Sequence, residues 1–213
     1  MLASGLLQLA AIAASYLLGA IPFGYLMGRL LRRDDIRHYG SGATGGTNVL
    51  RVLGWRPALA TAGLDILKGS AAVWLGILVG RFVPGGFLQG PGWTAALCGL
   101  AAVAGHSWPV YLGFRGGKSV ATGGGALLVF APAAILYALP VFIITAAFTR
   151  FVSLASLLAT VAAMIAVLAG SAPVSVKFWV VGTALIVFYR HHTNIKRLLS
   201  GKESRFGQRV APR

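Results

Sequence analysis

Between His38 and Arg51 the chain reads HYGSGATGGTNVLR, with glycines at 40, 42, 45 and 46 among Ser41, Thr44, Thr47, Asn48 and Arg51. Glycine admits backbone conformations that turn successive N–H groups to one side. Hydroxyl, amide and guanidinium donors around such a turn complete a cradle for an oxyanion, phosphate above all. A loop that only joins two helices needs small residues for packing, but not that set of donors together. Gly40, Gly42, Thr47, Asn48 and Arg51 are therefore candidate phosphate-binding residues.

A second segment, GFRGGKSVATGGG at 113–125, sets Gly116 and Gly117 between Arg115 and Lys118. It is not a nucleotide loop of the form GxxxxGK[ST], because Leu112 stands where the first glycine is required. It reads equally as an anion site and as a basic anchor with a glycine hinge. The third segment, YRHHTNIKRLL at 189–199, spaces Arg190, His191, Asn194 and Arg197 by three or four residues, on or near one helical face. An imidazole there can exchange a proton near neutral pH, and the spacing to Asn194 favours His191 over His192.

Two smaller features accompany these. Asp65 and Lys68 lie one turn apart within an apolar run, where an ion pair that orients the site explains both charges better than direct chemistry does. In RFVSLAS at 150–156, Arg150, Ser153 and Ser156 stand at the edge of another apolar run. His106 reads as a packing or hydrogen-bonding residue. With Asp34, Asp35, Asp65 and Glu203 as the only acids, a carboxylate metal site is not expected, and no cofactor is called for. No His is followed five positions later by Asp, since those positions hold Ala43, Tyr111, Lys196 and Arg197. The single Cys98 is a packing residue.

The elements that position these segments are apolar helices. Of 213 residues, 57% are hydrophobic and 11% charged, too apolar for a soluble domain, and the net charge of +15 is confined to gaps between apolar runs. That placement points to membrane topology and anionic substrates rather than nucleic acid. Apolar stretches at 6–28, 57–80, 93–112, 119–133, 134–149, 152–171 and 175–190 predict an all-α integral membrane protein with seven transmembrane helices. The first is a retained span rather than a cleaved signal. The fourth and fifth, divided at Pro132, are short and form either a tight pair or a partly re-entrant segment. Pro140 predicts a kink.

Arg29, Arg32, Arg33, Arg37, Arg51, Arg56, Arg115, Lys118 and Arg150 fall on one side. Arg190, Lys196, Arg197, Lys202, Arg205, Arg209 and Arg213 of the C-terminal region join them, against Arg81 and Lys177 on the other. The positive-inside rule then places the N-terminus outside and the C-terminus in the cytoplasm. Residues 1–200 form one polytopic domain, and 201–213 a basic tail that frays or meets anionic headgroups.

The motifs SYLLGAIPFGYLMGR (15–29), YGSGATGGTNVLRVLG (39–54), LDILKG (64–69), GHSWPVYLGFRGGKSVAT (105–122), RFVSLAS and YRHHTNIKRLLSGKESRFG (189–207) occur in an order that spans nearly the whole chain. In these the chain resembles the membrane-integral acyl-phosphate–glycerol-3-phosphate acyltransferases of bacteria, the PlsY type. It departs from the pattern at Ala43, Thr44, Gly46, Ser119 and His192. The resemblance implies seven spans in a bacterial cytoplasmic membrane, with the site on the cytoplasmic face. It implies transfer of a fatty acyl group from acyl phosphate to glycerol 3-phosphate, giving lysophosphatidic acid and phosphate. It also implies a site that includes Ser41, Thr47, Asn48, Arg51, Gly116, Gly117, Lys118, Ser156, His191 and Asn194.

On that basis His191 orients or deprotonates the attacking hydroxyl with Ser41 and Asn194, or a substrate phosphate is the base. An acyl-enzyme on Ser41 is the other route. The expected partners are the two substrates and membrane lipids, and the expected working unit is a monomer. A small transporter for an organic phosphate is the competing reading, but it would need polar access from both faces. A lipid-binding scaffold would leave His191 and Asn194 unexplained.

Overall fold

A computed structural model describes residues 1–32, 34–83, 86–88 and 91–207. Arg33, Arg209 and Arg213 lie outside the described residues, which are helical and contain no β-strand. The first apolar stretch is interrupted. Helix α1 (Leu2–Ala20) stops at Ile21, held in an extended conformation by Pro22, and α2 (Phe23–Arg32) resumes beyond it. On α2, Gly24 and Gly28 are buried while Leu30 and Leu31 are exposed beside Arg29 and Arg32. After a short 3₁₀ turn at Ile36–His38 come α3 (Gly46–Leu53) and the 28-residue α4 (Trp55–Phe82). At 1.5 Å per residue α4 reaches about 42 Å, longer than the ~30 Å hydrocarbon core of a bilayer.

Helices α5 (Pro91–Ser107), α6 (Val120–Phe130), α7 (Pro132–Thr149), α8 (Val152–Ala169), α9 (Val174–Arg190) and α10 (His192–Leu199) complete the chain. Among the described residues, five helical segments are long and apolar enough to cross a membrane: 2–32, α4, 92–112, α7 and α8. The stretch 119–133 yields only the eleven-residue α6, about 16 Å long, which one residue, Ala131, separates from the full-length α7. Pro140 lies inside α7. At seventeen residues α9 is slightly shorter than the five.

Lipid tails are as apolar as leucine, so close backbone approach at small residues replaces the hydrophobic drive between helices. Here α4 and α5 are the hub. A Cβ built on Gly19 of α1 would lie 2.2 Å from Ala102 O on α5, and one on Gly105 of α5 the same distance from Tyr16 O. Gly76 of α4 sits against Ala95 of α5 in the same way, while Gly69 and Gly125 bring α4 and α6 together at Thr122 and Ile66. Trp179 of α9 and Phe130 of α6 fill the centre with ring centroids 4.9 Å apart. The opposite surface of α7 carries exposed Leu136, Tyr137, Ile143, Ile144 and Phe148, as a lipid-facing helix does.

These contacts generate a paired expectation. Gly125→Val puts its Cβ 2.0 Å from Ile66 O and must push α6 off α4, whereas nothing lies within 4 Å of a Cβ at the neighbouring Gly124. The first should lose about 1–3 kcal/mol, as overpacking typically does. Gly124→Ala should be near neutral. Thermal unfolding of the two variants in detergent distinguishes them.

Candidate active site

The glycine-rich loop before α3 is built around one side chain. Asn48, at the start of α3 and buried, donates through Nδ2 to Ile36 O, Tyr39 O and Ala43 O at 3.0–3.1 Å, and its Oδ1 accepts from Ser41 N–H at 3.0 Å. The loop winds around this amide because Gly40 and Gly42 take positive φ, 56° and 70°. A Cβ at Gly40 would also strike Asn48 Oδ1. Thr44 O rests against Gly24 of α2, which seats the loop on the helix below. Asn48 therefore shapes the cradle from within. The hydroxyls of the half-buried Ser41 and Thr47 bond to no described residue.

The second loop, which leads into α6, has its backbone paired on both sides. Gly117 N–H donates to His106 O at 3.0 Å, while Arg190 donates to Gly117 O and Gly116 O at 3.0 and 3.1 Å. The Gly117 N–H is thus already paired, and the glycine pair is held as a platform. Arg190 also lies over the Trp108 ring, 5.7 Å from its centroid. Ser119 takes a positive φ of 61°, and its hydroxyl bridges Ser107 Oγ and Val103 O. Beyond the platform Lys118 reaches inward. Arg115 is exposed and stands apart from the cluster described next.

The three segments meet at Lys118. Its Nζ donates to Asn194 Oδ1 at 2.5 Å, Asn194 Nδ2 donates to Glu203 Oε1 at 2.6 Å, and Arg197 Nε donates to Glu203 Oε2 at 2.8 Å. Ser153 of α8 adds a hydrogen bond to Glu203 Oε1 at 2.8 Å. Arg51 joins through Ser204 O at 3.4 Å. Ser156, one turn after Ser153, is buried but returns its hydroxyl to Val152 O of its own helix, at 2.8 Å. The C-terminal segment, expected to fray or to meet anionic headgroups, is tied to the bundle as far as Phe206. Phe206 N–H donates to Arg150 O, and Arg150 donates back to Phe206 O.

Electrostatics follow from this crowding. Burial lowers the Lys118 pKa to about 8; Glu203 opposes the shift, and the neighbouring charges of Arg197, Arg51 and Arg190 add to it. Burial likewise pushes Arg51 down from its ordinary value. Burial works to raise the Glu203 carboxyl, but hydrogen bonds from Arg197, Asn194 and Ser153 outweigh it and leave the group below the usual carboxylate range. Burial and the Lys118 charge bring His191 down to about 4, so the ring is neutral near pH 7. Its Nδ1 lies 2.8 Å from Val187 O, which keeps the proton on Nδ1 and leaves Nε2 bare as an acceptor.

Sequence reading passed over Glu203 as a builder of this site, and it placed Arg190 on the face of the third segment without giving it a role. Glu203 carried one signal, being the sole acid in an otherwise basic C-terminal region. Glu203→Ala should release α10 from α8, lower the thermal midpoint by several degrees and open Lys202 and Arg205 to trypsin. Limited proteolysis in detergent, compared with the parent chain, reads this directly.

The arrangement matches known proteins along almost its full length. Residues 9–201 match the family model described as glycerol-3-phosphate acyltransferase. The glycerol-3-phosphate acyltransferase of Symbiobacterium thermophilum is 46% identical over 199 residues, covering 93% of this chain and 94% of that one. The protein of the same name from Halalkalibacterium halodurans is 43% identical over 202 residues, covering 93% and 95%. The crystal structure of PlsY, an integral membrane glycerol 3-phosphate acyltransferase, in its glycerol 3-phosphate form superposes with a TM-score of 0.83. It is 37% identical and covers 94% of this chain and 96% of that one. The lysophosphatidic acid form gives a TM-score of 0.81 at 36% identity, covering 94% and 95%. The chain belongs to the glycerol-3-phosphate acyltransferase family.

Proposed function

We propose that this integral membrane enzyme transfers a fatty acyl group from acyl phosphate to glycerol 3-phosphate, forming lysophosphatidic acid and inorganic phosphate. One observation carries the residue assignment. Arg51, Arg190 and Arg197 gather around Lys118 with the carboxylate of Glu203 beside it, an excess of positive charge next to a neutral imidazole. Both substrates are anions, and bringing two phosphates together is the main electrostatic obstacle to reaction. Fixed cations offset that repulsion in both the ground state and the transition state, and they hold the reactants in attack geometry.

Acyl phosphate is an activated mixed anhydride. The glycerol hydroxyl oxygen attacks the acyl carbonyl carbon, the C–O bond to phosphate breaks, and phosphate departs with the electron pair. His191 Nε2 accepts a hydrogen bond from the attacking hydroxyl and aims it. A group with a pKa of about 4 is a weak base at pH 7, so the departing phosphate is the better final acceptor of the proton. Ser41 and Thr47 bind phosphate oxygens with their hydroxyls, and Arg51 and Lys118 supply charge. Asn194 sets the Lys118 ammonium, and Ser156 lines the edge on α8. Gly40, Gly42, Asn48, Gly116 and Gly117 shape the two loops, and Arg115 attracts anions at the mouth. No residue needs to be acylated in this scheme.

The remaining assignments are a seven-segment topology with the N-terminus outside, a site facing the cytoplasm of a bacterial inner membrane, and a monomeric working unit. Residues 1–200 serve as the catalytic domain and 201–213 as its basic C-terminal extension, anchored through Glu203 and Phe206. The positive-inside count supports the orientation.

Phosphate release from palmitoyl phosphate by purified protein, with and without glycerol 3-phosphate, tests the reaction. Release that depends on glycerol 3-phosphate and yields lysophosphatidic acid is the expected result. Binding without turnover would favour a transporter. His191→Ala should lower kcat by about a hundredfold, in the range for loss of a group that orients the nucleophile, in protein that remains folded. With Lys118 titrating at about 8, its positive charge is present below that pH and lost above it. The free-enzyme kcat/KM should therefore fall between pH 8 and pH 9. Lys118→Arg, which stays charged, should lose that alkaline limb at reduced activity.

A further inference from the structure

The side chains of Asp65, Lys68 and His106 lie outside the contacts described above, yet all three residues are nearly inaccessible, at 1%, 3% and 6% exposure. Lys68 Nζ is 2.8 Å from Asp65 Oδ1, and His106 Nδ1 approaches the same oxygen at 3.3 Å. Charged groups inside a membrane-embedded bundle are costly, and a buried ion pair is weak evidence for stability as such. What the three groups hold is more informative. Lys68 also donates to Ile21 O at 2.8 Å and sits 5.4 Å from the Phe23 ring centroid, so it fastens both sides of the break between α1 and α2. The carboxylate of Asp65 takes the Nδ1 side of His106, which turns Nε2 toward the second loop.

There the fit is tight. His106 O accepts the Gly117 N–H, and a Cβ on Gly117 would fall 2.1 Å from His106 Nε2. A Cβ on Gly116 would meet His106 O and Pro109 Cδ, each at 2.3 Å. Both glycines are thus accounted for by the histidine beneath them. Arg190 clamps the same two residues through their carbonyls. Lys118, the next residue, has its backbone origin fixed by this sandwich.

We propose that Asp65, Lys68 and His106 form a positioning unit, which sets the Gly116–Lys118 backbone from below and locks it to the α1–α2 break. The unit aims the Lys118 ammonium at substrate phosphate without touching substrate. This rests on the acyl-transfer reading for its substrate, but the geometry of the unit stands apart from it.

The test compares His106→Ala, His106→Gln, Gly117→Ala and the double variant Gly117→Ala/His106→Ala with the parent chain in detergent. Glycerol 3-phosphate binding by calorimetry, turnover with palmitoyl phosphate, inhibition by inorganic phosphate and thermal midpoint are measured on each. His106→Ala should weaken glycerol 3-phosphate binding and phosphate inhibition by about tenfold or more, a size typical of small misplacements. Its thermal midpoint should stay within a few degrees. His106→Gln, whose amide can still donate to Asp65, should recover most of the binding. Gly117→Ala should be severely impaired, and the double variant should regain part of the loss because the collision is gone.

Parent-like binding and turnover in His106→Ala overturn the proposal. So does a fall in thermal midpoint with binding per folded molecule intact, or a double variant no better than Gly117→Ala. A His106→Ala chain that cannot be purified folded leaves His106→Gln and Gly117→Ala to decide: parent-like binding in Gly117→Ala overturns the proposal. A parent chain that binds glycerol 3-phosphate without turning over would count against the acyl-transfer reading alone, since binding still reports the loop.

Discussion

The site depends on an uncompensated concentration of positive charge. Arg51, Arg190 and Arg197 stand close enough to perturb Lys118, with Glu203 the carboxylate placed among them. Left alone, such a cluster would push itself apart, and the protein restrains it by other means. Glu203 accepts from Arg197, Asn194 and Ser153 and so ties α8, α10 and the C-terminal segment into one unit. Arg190 is held by two backbone carbonyls and an aromatic face. The charge that remains exceeds what one carboxylate balances.

That restraint works only if the backbone of each loop is independently rigid. The first loop achieves this with one buried amide, since Asn48 makes four hydrogen bonds to the main chain around it. The second is gripped between His106 and Arg190. Neither loop relies on secondary structure, and in each a glycine lets backbone and side chain approach at a distance no β-carbon would allow. The same device recurs in the spans, where Gly19, Gly105, Gly69 and Gly125 let α1, α5, α4 and α6 touch along their main chains. Close packing of the spans and close packing of the loops are one strategy at two depths.

Much of this was legible beforehand. Hydropathy placed the helices within a few residues, and the pairing of Asp65 with Lys68 follows from their spacing within an apolar run. The identity of the polar segments, and the resemblance they carry, pointed to phosphate and acyl transfer, in line with the family. Two features were less legible. The stretch 119–133, left open between a tight pair with its neighbour and a partly re-entrant segment, gives the short α6, which Ala131 ends before Pro132 opens α7. The C-terminal region looked free because its composition is basic and polar, whereas Glu203, Ser204 and Phe206 are each held by residues about fifty or more positions away, in addition to nearer partners.

By itself the sequence determined the helical, membrane-embedded character of the chain, the side on which its charge collects and the chemical kind of ligand it is equipped to hold. Those properties are local, set by hydropathy over a window and by donors within a few residues of one another. Which donors face a ligand and which build the cradle was decided only in three dimensions. Asn48 and Gly117 have their polar groups paired with main chain, while Lys118 meets Asn194 across 76 positions. No spacing rule connects such pairs. They depend on how closely glycine-lined helices pack, and that closeness is a property of the assembled bundle.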